Sequence, residues 1–158
     1  DPVVWRGSLI SSLVAQMFTE VVYGEKEFLL IDMPPGTGDV PLTVFQQLPI
    51  DGIVIVTSPQ DLVSEVVTKS IKMAKMMNVK ILGVVENMAY VKCPHCGEEI
   101  PLFGKDNVQD LLKNMDVSLL DRLGIDPALT SLIDEGKIEE YKGNDLKNTV
   151  QAVTNLLK

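Results

Sequence analysis

Four short aliphatic runs constrain the fold of this chain more than any other feature: FLLI (28–31), IVIV (53–56), ILGVV (81–85) and VSLL (117–120). None alternates with polar residues. Unbroken apolar strands are what a parallel sheet requires when both of its faces are covered. Longer amphipathic stretches lie between them. In SLISSLVAQMFTEVVYG, Leu9, Leu13, Met17 and Val21 recur at four-residue spacing, and Gly24 supplies a stop. SPQD predicts a second helix, with Ser58 as N-cap, Pro59 at the first helical position and Asp61 in the first turn. A third helix is expected over 106–115, and a fourth from DPALT, with Asp126 as cap and Pro127 at its first position. The last, over 144–157, places Leu146, Val150, Val153 and Leu157 on one stripe. Strand–helix alternation of this kind predicts a single α/β domain over 1–158, doubly wound and mainly parallel. Residues 90–104 break the alternation and read as a small hairpin or loop projecting from a strand end.

Composition narrows the function. With 46% hydrophobic residues the chain is not disordered, and 158 residues suffice for one packed core. The formal net charge of −8 argues against nucleic acid and anionic membrane as partners, since both reward clustered Lys and Arg. No apolar run approaches the roughly 20 residues that cross a bilayer. The opening DPVVWRG does not read as a secretory signal, and two cysteines do not make a secreted disulfide scaffold, so a reducing cytoplasm is expected.

The stretch FLLIDMPPGTGD (28–39) predicts a strand ending in Asp32, followed by a rigid Pro-Pro-Gly turn. A carboxylate at the carboxyl end of a parallel strand lies where open α/β sheets bind ligands, and can hold Mg²⁺ beside a nucleotide's phosphates. Gly36 and Gly38 would let backbone N–H groups approach a phosphate. A bland alternative is that Asp32 caps a turn and the glycines only permit it. Two prolines and two glycines within DMPPGTGD favour a specified loop.

FLLIDMPPGTGD, VIVTSPQD, GVVENMAYVKCPHCG and DEGKIEEY, together with the opening PVVWRG, resemble the Mrp (ApbC-type) family over nearly the whole chain. That family comprises P-loop ATPases with a deviant Walker A motif that carry iron–sulfur clusters. The resemblance implies that Asp32 is the Walker B aspartate, that Gly36 lies in the loop sensing the terminal phosphate, and that Asp39 closes that loop. It places Asn87 at the adenine, although a strand-end Asn making a local turn is the alternative. Asp126 matches a base-side loop, but LLDRLGIDP has Asp121 where the family has glycine and Gly124 where it has proline. No G-K-S or G-K-T follows an apolar strand, so the phosphate-cradling loop and its strand are expected to be lacking. The chain is therefore read as the carboxyl-terminal portion of the family architecture. It would not hydrolyse ATP alone, and a separate P-loop half is a conceivable partner.

CPHCG (93–97) holds both cysteines and the only histidine. Three readings compete. A redox dithiol wants its first cysteine at a helix N-terminus, and the following GEEIPLFG disfavours a helix. A monomeric zinc site needs four ligands, and C-x-x-C gives two, with His95 poorly placed between them. In a homodimer, two copies of Cys93 and Cys96 supply four thiolates, which suit a [4Fe–4S] cluster or, equally by count, Zn²⁺. This shared site is preferred, and the family resemblance selects iron–sulfur, with apo iron–sulfur proteins as recipients. Trp5 reads as packing the first helix against the sheet, Arg6 as a dimer or nucleotide contact, and Met73, Met76 and Met77 as core. DEGKIEEY reads as a solvated helix end.

Overall fold

In a computed structural model of the chain, residues 7–103 and 108–157 are described. Trp5 and Arg6, and the first residues of the expected 106–115 helix, lie outside them. The chain runs α1 (Gly7–Glu20), α2 (Asp39–Gln47), β1 (Ile53–Thr57), α3 (Asp61–Met76), β2 (Ile81–Lys92), β3 (Glu99–Ile100), α4 (Val108–Asn114), β4 (Leu119–Gly124), α5 (Pro127–Asp134) and α6 (Lys147–Thr154), with short 3-10 turns at Ile138–Glu140 and Asn155–Leu157. The architecture is α/β with a mixed sheet. The long β2 lies between β1 and β4, parallel to both, and its end turns back antiparallel into β3.

One face of the sheet is closed. Ile55, Val67, Ile71, Val84, Val108 and Leu112 form the core, where α3 and α4 cover β1 and β2. Ile71 is 0% exposed, a burial that contributes about 1.5–3 kcal/mol. By strand alternation Val85 points to the opposite face, where α6 packs on β2 and β4.

Several expectations need correction. FLLI (28–31) is not a strand: residues 21–38 form neither helix nor strand, and Phe28, Leu29, Leu30 and Ile31 are all exposed. A strand is stable only when its backbone finds a ladder. Among the described residues β1 pairs with β2 alone, so the 28–31 run joins no sheet edge. It borders instead an open cleft of ≈ 560 Å³ shared with Phe45, Val54, Leu82 and Val153. The stripes of the first and last helices are correspondingly under-covered: Leu9, Leu13, Met17, Val21, Leu146, Val150 and Leu157 remain exposed. Helix α1 stops at Glu20, ahead of Gly24.

Helix α3 begins at Asp61, not at Ser58. Gln60 is extended (φ −80°, ψ 136°), so the turn containing Pro59 precedes the helix. The VSLL strand begins two residues late because the Val117 N–H closes the end of α4 on the Leu112 carbonyl at 3.1 Å. It then continues through Asp121 and Arg122, which the aliphatic pattern did not suggest. Helix α2, over DVPLTVFQQ, was also not anticipated. It packs on α1, and the Thr43 hydroxyl donates to the Asp39 carbonyl at 2.7 Å and lies 2.8 Å from the Ser11 hydroxyl. Asp126 is the cap of α5 as expected, accepting from Ala128 N–H at 2.8 Å and Leu129 N–H at 3.4 Å, with Pro127 in the first turn.

The departure at Asp121 has a structural meaning. Helix α6 follows Leu146, whose side chain offers no cap. Asp121, 8% exposed on β4, supplies it from across the fold. Its Oδ1 accepts from the Asn148 N–H at 3.2 Å and amide Nδ2 at 2.9 Å; its Oδ2 accepts from the Thr149 N–H at 2.7 Å and hydroxyl at 2.6 Å. These satisfy N–H groups that a helix start otherwise leaves orphaned. Burial pushes the Asp121 carboxyl up, but the Thr149 and Asn148 donors outweigh it and hold the group below the usual carboxylate range. The stability so gained is present above the unfolded carboxyl pKa, about 3.9, and is lost as pH falls through the lower folded value. Asp121→Asn should therefore cost about 1–3 kcal/mol in urea unfolding at pH 7. The gap between variant and parent should narrow below pH 4. A gap that stays constant with pH would show that the carboxylate charge is not the capping group.

Candidate functional site

Strand β2 leaves the sheet and becomes one leg of a hairpin. Val91 pairs with Ile100 and Lys92 with Glu99, and residues 93–98 close the tip. The Cys93 N–H donates to the Glu98 carbonyl at 2.9 Å, and the Gly97 N–H returns to the Cys93 carbonyl at 2.9 Å. Gly97 has φ +75°, a left-handed conformation that glycine adopts without strain. After Cys96 the described chain forms β3 and an irregular run, not a helix. Cys93 is half-buried; Cys96 and His95 are exposed, and both cysteines are free thiols.

The tip is built around the Cys93 sulfur. Backbone N–H groups of Cys96 and His95, with the Cys96 thiol, hydrogen-bond toward it and lower its pKa. Donors aimed at sulfur favour thiolate, the form that ligates metals. Among the described residues no group of three or more His, Cys, Asp or Glu side chains could hold a metal ion within one chain. The hairpin thus presents two free thiols, Cys93 half-buried and Cys96 exposed.

Below the tip, β2 and β4 are joined by polar groups. Glu86, 0% exposed, takes the Arg122 Nε at 2.8 Å. Arg122 Nη1 lies 4.0 Å from Glu99 on β3. Tyr90 packs over Gly124, where an added Cβ would lie 2.6 Å from the ring. Sequence reasoning passed over Glu86, Tyr90, Glu99 and Arg122. Charged residues inside VVENM and LLDRLG, both aliphatic segments, were the signal available.

The residues read as nucleotide-binding are dispersed or engaged. Asp32 is exposed in the irregular 21–38 segment rather than at a strand end. Gly36 lies in the same segment with φ +93°. Asp39 opens α2, its carboxylate against the start of α1 so closely that Gly7 admits no side chain. The Asn87 Oδ1 accepts from the Met88 N–H at 2.9 Å, and Met88 has φ 55°, so Asn87 serves a local bulge. Besides capping α5, Asp126 faces the Tyr141 hydroxyl at 3.0 Å, which also lies 2.7 Å from Asp145. These carboxylates, Asp145 foremost, hold the Tyr141 hydroxyl protonated well above its usual range. Asn87 and Asp126 do share the carboxyl edge of the parallel strands, which is the ligand-binding edge of open α/β sheets. Asp32 and Gly36 are not joined to that edge.

Parallel strands flanked by helices, with a hairpin bearing two thiols extending from the central strand, define an α/β protein of P-loop NTPase type. The family model "ParA: NUBPL iron-transfer P-loop NTPase" matches residues 1–158, and the chain belongs to that family. The iron–sulfur cluster carrier protein of Clostridium perfringens is 45% identical over 141 residues, 89% of this chain and 49% of that protein. The iron-sulfur cluster transfer protein NUBPL of Dictyostelium discoideum is 38% identical over 137 residues, 87% of this chain and 42% of that protein. A nucleotide-binding protein of Archaeoglobus fulgidus, solved in complex with ADP, superposes with a TM-score of 0.77 at 43% identity, over 86% of this chain and 56% of that one. The chain spans about half the length of the curated relatives it matches.

The thiol geometry gives a direct test. In the Cys96→Ser variant, whose serine hydroxyl can still donate, Cys93 should alkylate with a pH midpoint below that of free cysteine in the same buffer. A midpoint at or above the free-cysteine value would show that the backbone donors do not reach the sulfur in solution.

Proposed function

We propose that this chain is the cluster-holding part of an iron–sulfur carrier, and that the cargo is a [4Fe–4S] cluster bound between two copies by Cys93 and Cys96 of each. One observation carries the reading: a hairpin tip that offers two thiols, with donors trained on Cys93, and no third ligand among the described residues. Four thiolates complete a cluster site, and an isologous dimer supplies them automatically. The names of the relatives favour iron–sulfur over the zinc that would fit the same ligand count. The exposed tip suits transfer. A recipient apoprotein's thiolate can displace Cys96 and then Cys93, each iron–sulfur bond broken being replaced by one formed on the recipient, with no net redox change. A reducing cytoplasm, which keeps both thiols free, suits this chemistry. Among the described residues no helix is long and apolar enough to cross a membrane.

Nucleotide handling belongs, in our reading, to the complete family architecture. There Asp32 would position Mg²⁺, Gly36 and Asp39 would shape the phosphate-sensing loop, and Asn87 and Asp126 would face the base. The arrangement within this chain does not fit an assembled ATP site: Asp32 is solvated, and Asn87, Asp39 and Asp126 are committed to local hydrogen bonds or helix starts. Mg²⁺ at such sites is held largely through the nucleotide's phosphates, which need a cradle of N–H groups and a lysine.

Two measurements test the proposal. After anaerobic reconstitution the parent should bind iron with sulfide and gain dimer mass, and Cys93→Ser and Cys96→Ser should each lose the iron and the dimer. Unchanged iron and mass in both variants, or zinc bound in preference to reconstituted cluster, would defeat the bridging cluster. Calorimetry of the isolated chain should detect no micromolar MgATP binding. Micromolar affinity abolished by Asp32→Ala would show that the site assembles without further chain.

A further inference from the structure

The thiols must be held at a fixed angle to the sheet if two hairpins are to meet over one cluster, and a two-residue ladder is a weak tether. The polar groups beneath it strengthen the attachment. Thr57, Glu86 and Arg122 form a row across β1, β2 and β4, each directly opposite the next in register. Glu86 is fully buried, so its charge requires a partner, and the Arg122 Nε at 2.8 Å fixes the guanidinium plane. The same guanidinium directs Nη1 toward Glu99, the hairpin residue paired with Lys92. Its Cζ lies 5.8 Å from the centre of the Tyr90 ring, and the Lys92 Nζ lies 5.9 Å from it. Tyr90 is held as well, because Gly124 opposite it leaves room for the ring and the Ile125 N–H donates to the Tyr90 carbonyl at 2.8 Å.

This clamp sits where β2 needs one. The β2–β4 ladder shifts register between Glu86 and Tyr90, and Met88 there takes φ 55°, a conformation costly for a bulky side chain. The bulge re-aims the strand from the sheet into the hairpin. Beyond it, Arg122 and Gly124 of β4 and the Ile125 N–H tie the redirected strand back to the sheet.

We infer that Arg122 is a positioning residue that, together with Gly124 and Tyr90, sets the CxxC hairpin at a fixed angle to the sheet. It is hydrogen-bonded to a buried carboxylate in the central strand and holds its second arm 4.0 Å from a hairpin carboxylate, a reach that suits a fork-shaped cation better than a point charge. Its relevance to cargo rests on the proposed cluster site, whereas its effect on the hairpin does not.

Replacing Arg122 with an apolar residue would take an ion-pair partner from the buried Glu86 charge and risks unfolding the protein. The test therefore uses Arg122→Lys, which keeps the charge, and Glu99→Gln and Gly124→Ala, which leave Glu86 paired. Hydrogen exchange is followed by segment on the metal-free protein, and Co²⁺ binding by thiolate–cobalt absorbance. Exchange over 91–100 should rise about tenfold in Arg122→Lys and about threefold in Glu99→Gln. Gly124→Ala, which displaces the Tyr90 ring, should also raise it. Exchange over 53–57 and 81–86 should stay at the parent level, and Co²⁺ affinity should fall in the same order as hairpin protection. The Arg122→Lys, Glu99→Gln double variant should loosen the hairpin no further than Arg122→Lys alone. Unchanged 91–100 exchange in all three single variants, or an equal rise over 53–57, would overturn the inference. Should the parent bind no Co²⁺, the metal reading fails, and the exchange comparison still decides the positioning role.

Discussion

A buried carboxylate governs this fold. Glu86 lies in the central strand with no exposure, among aliphatic neighbours, and a charge in that setting destabilises any arrangement that does not pair it. The arginine that pairs it is on β4, so the pairing fixes β4 against β2 and sets the direction of everything that leaves those strands at their carboxyl ends. The hairpin follows from β2, and α5 and α6 follow from β4. Replacing such a pair with apolar side chains often costs a protein nothing in stability. Its value here is geometric: it specifies one register between two strands whose aliphatic residues alone would tolerate a slip.

Asp121 repeats the same logic one residue earlier. Its carboxylate faces the start of α6 and substitutes for the cap that Leu146 cannot provide. Two adjacent charged residues in one strand thus serve opposite faces, Arg122 toward β2 and its hairpin, Asp121 toward α6. On the same strand, Gly124 makes room for the Tyr90 ring.

The open side of the molecule is equally physical. An apolar segment becomes a strand only if a neighbouring edge offers hydrogen bonds, and 28–31 has none among the described residues. Its side chains line a cleft with Val54 and Leu82 on the sheet and Val153 on α6. Leu30 is 81% exposed and Val56 on β1 is 64% exposed, so this face carries apolar surface that a covering element would bury. Asp32, which directly follows the unpaired run, shares its fate and lies away from the sheet edge occupied by Asn87 and Asp126. The residues proposed for nucleotide and the thiol hairpin therefore differ in kind: the hairpin is built by local turns, whereas Asp32 and Gly36 are joined to no sheet edge among the described residues.

The sequence by itself determined the elements whose information is local. Aliphatic runs at 53–56 and 81–85 became parallel strands because each offers the other a backbone ladder, and Ile55 and Val84 join one core. Asp126-Pro127 became a helix start because cap and fixed φ act within one turn. CPHCG became a tight thiol-bearing loop because glycine and adjacent N–H groups close it without help. Tertiary structure decided what depends on partners distant in the chain. It denied FLLI a ladder, moved the β4 strand past its aliphatic stretch, made Asp121 the cap of a helix 26 residues away, and paired Arg122 with the buried Glu86. Periodicity and propensity report what a segment prefers alone. Which strand edge is available, and which buried charge needs a partner, are set only when the whole sheet is in place.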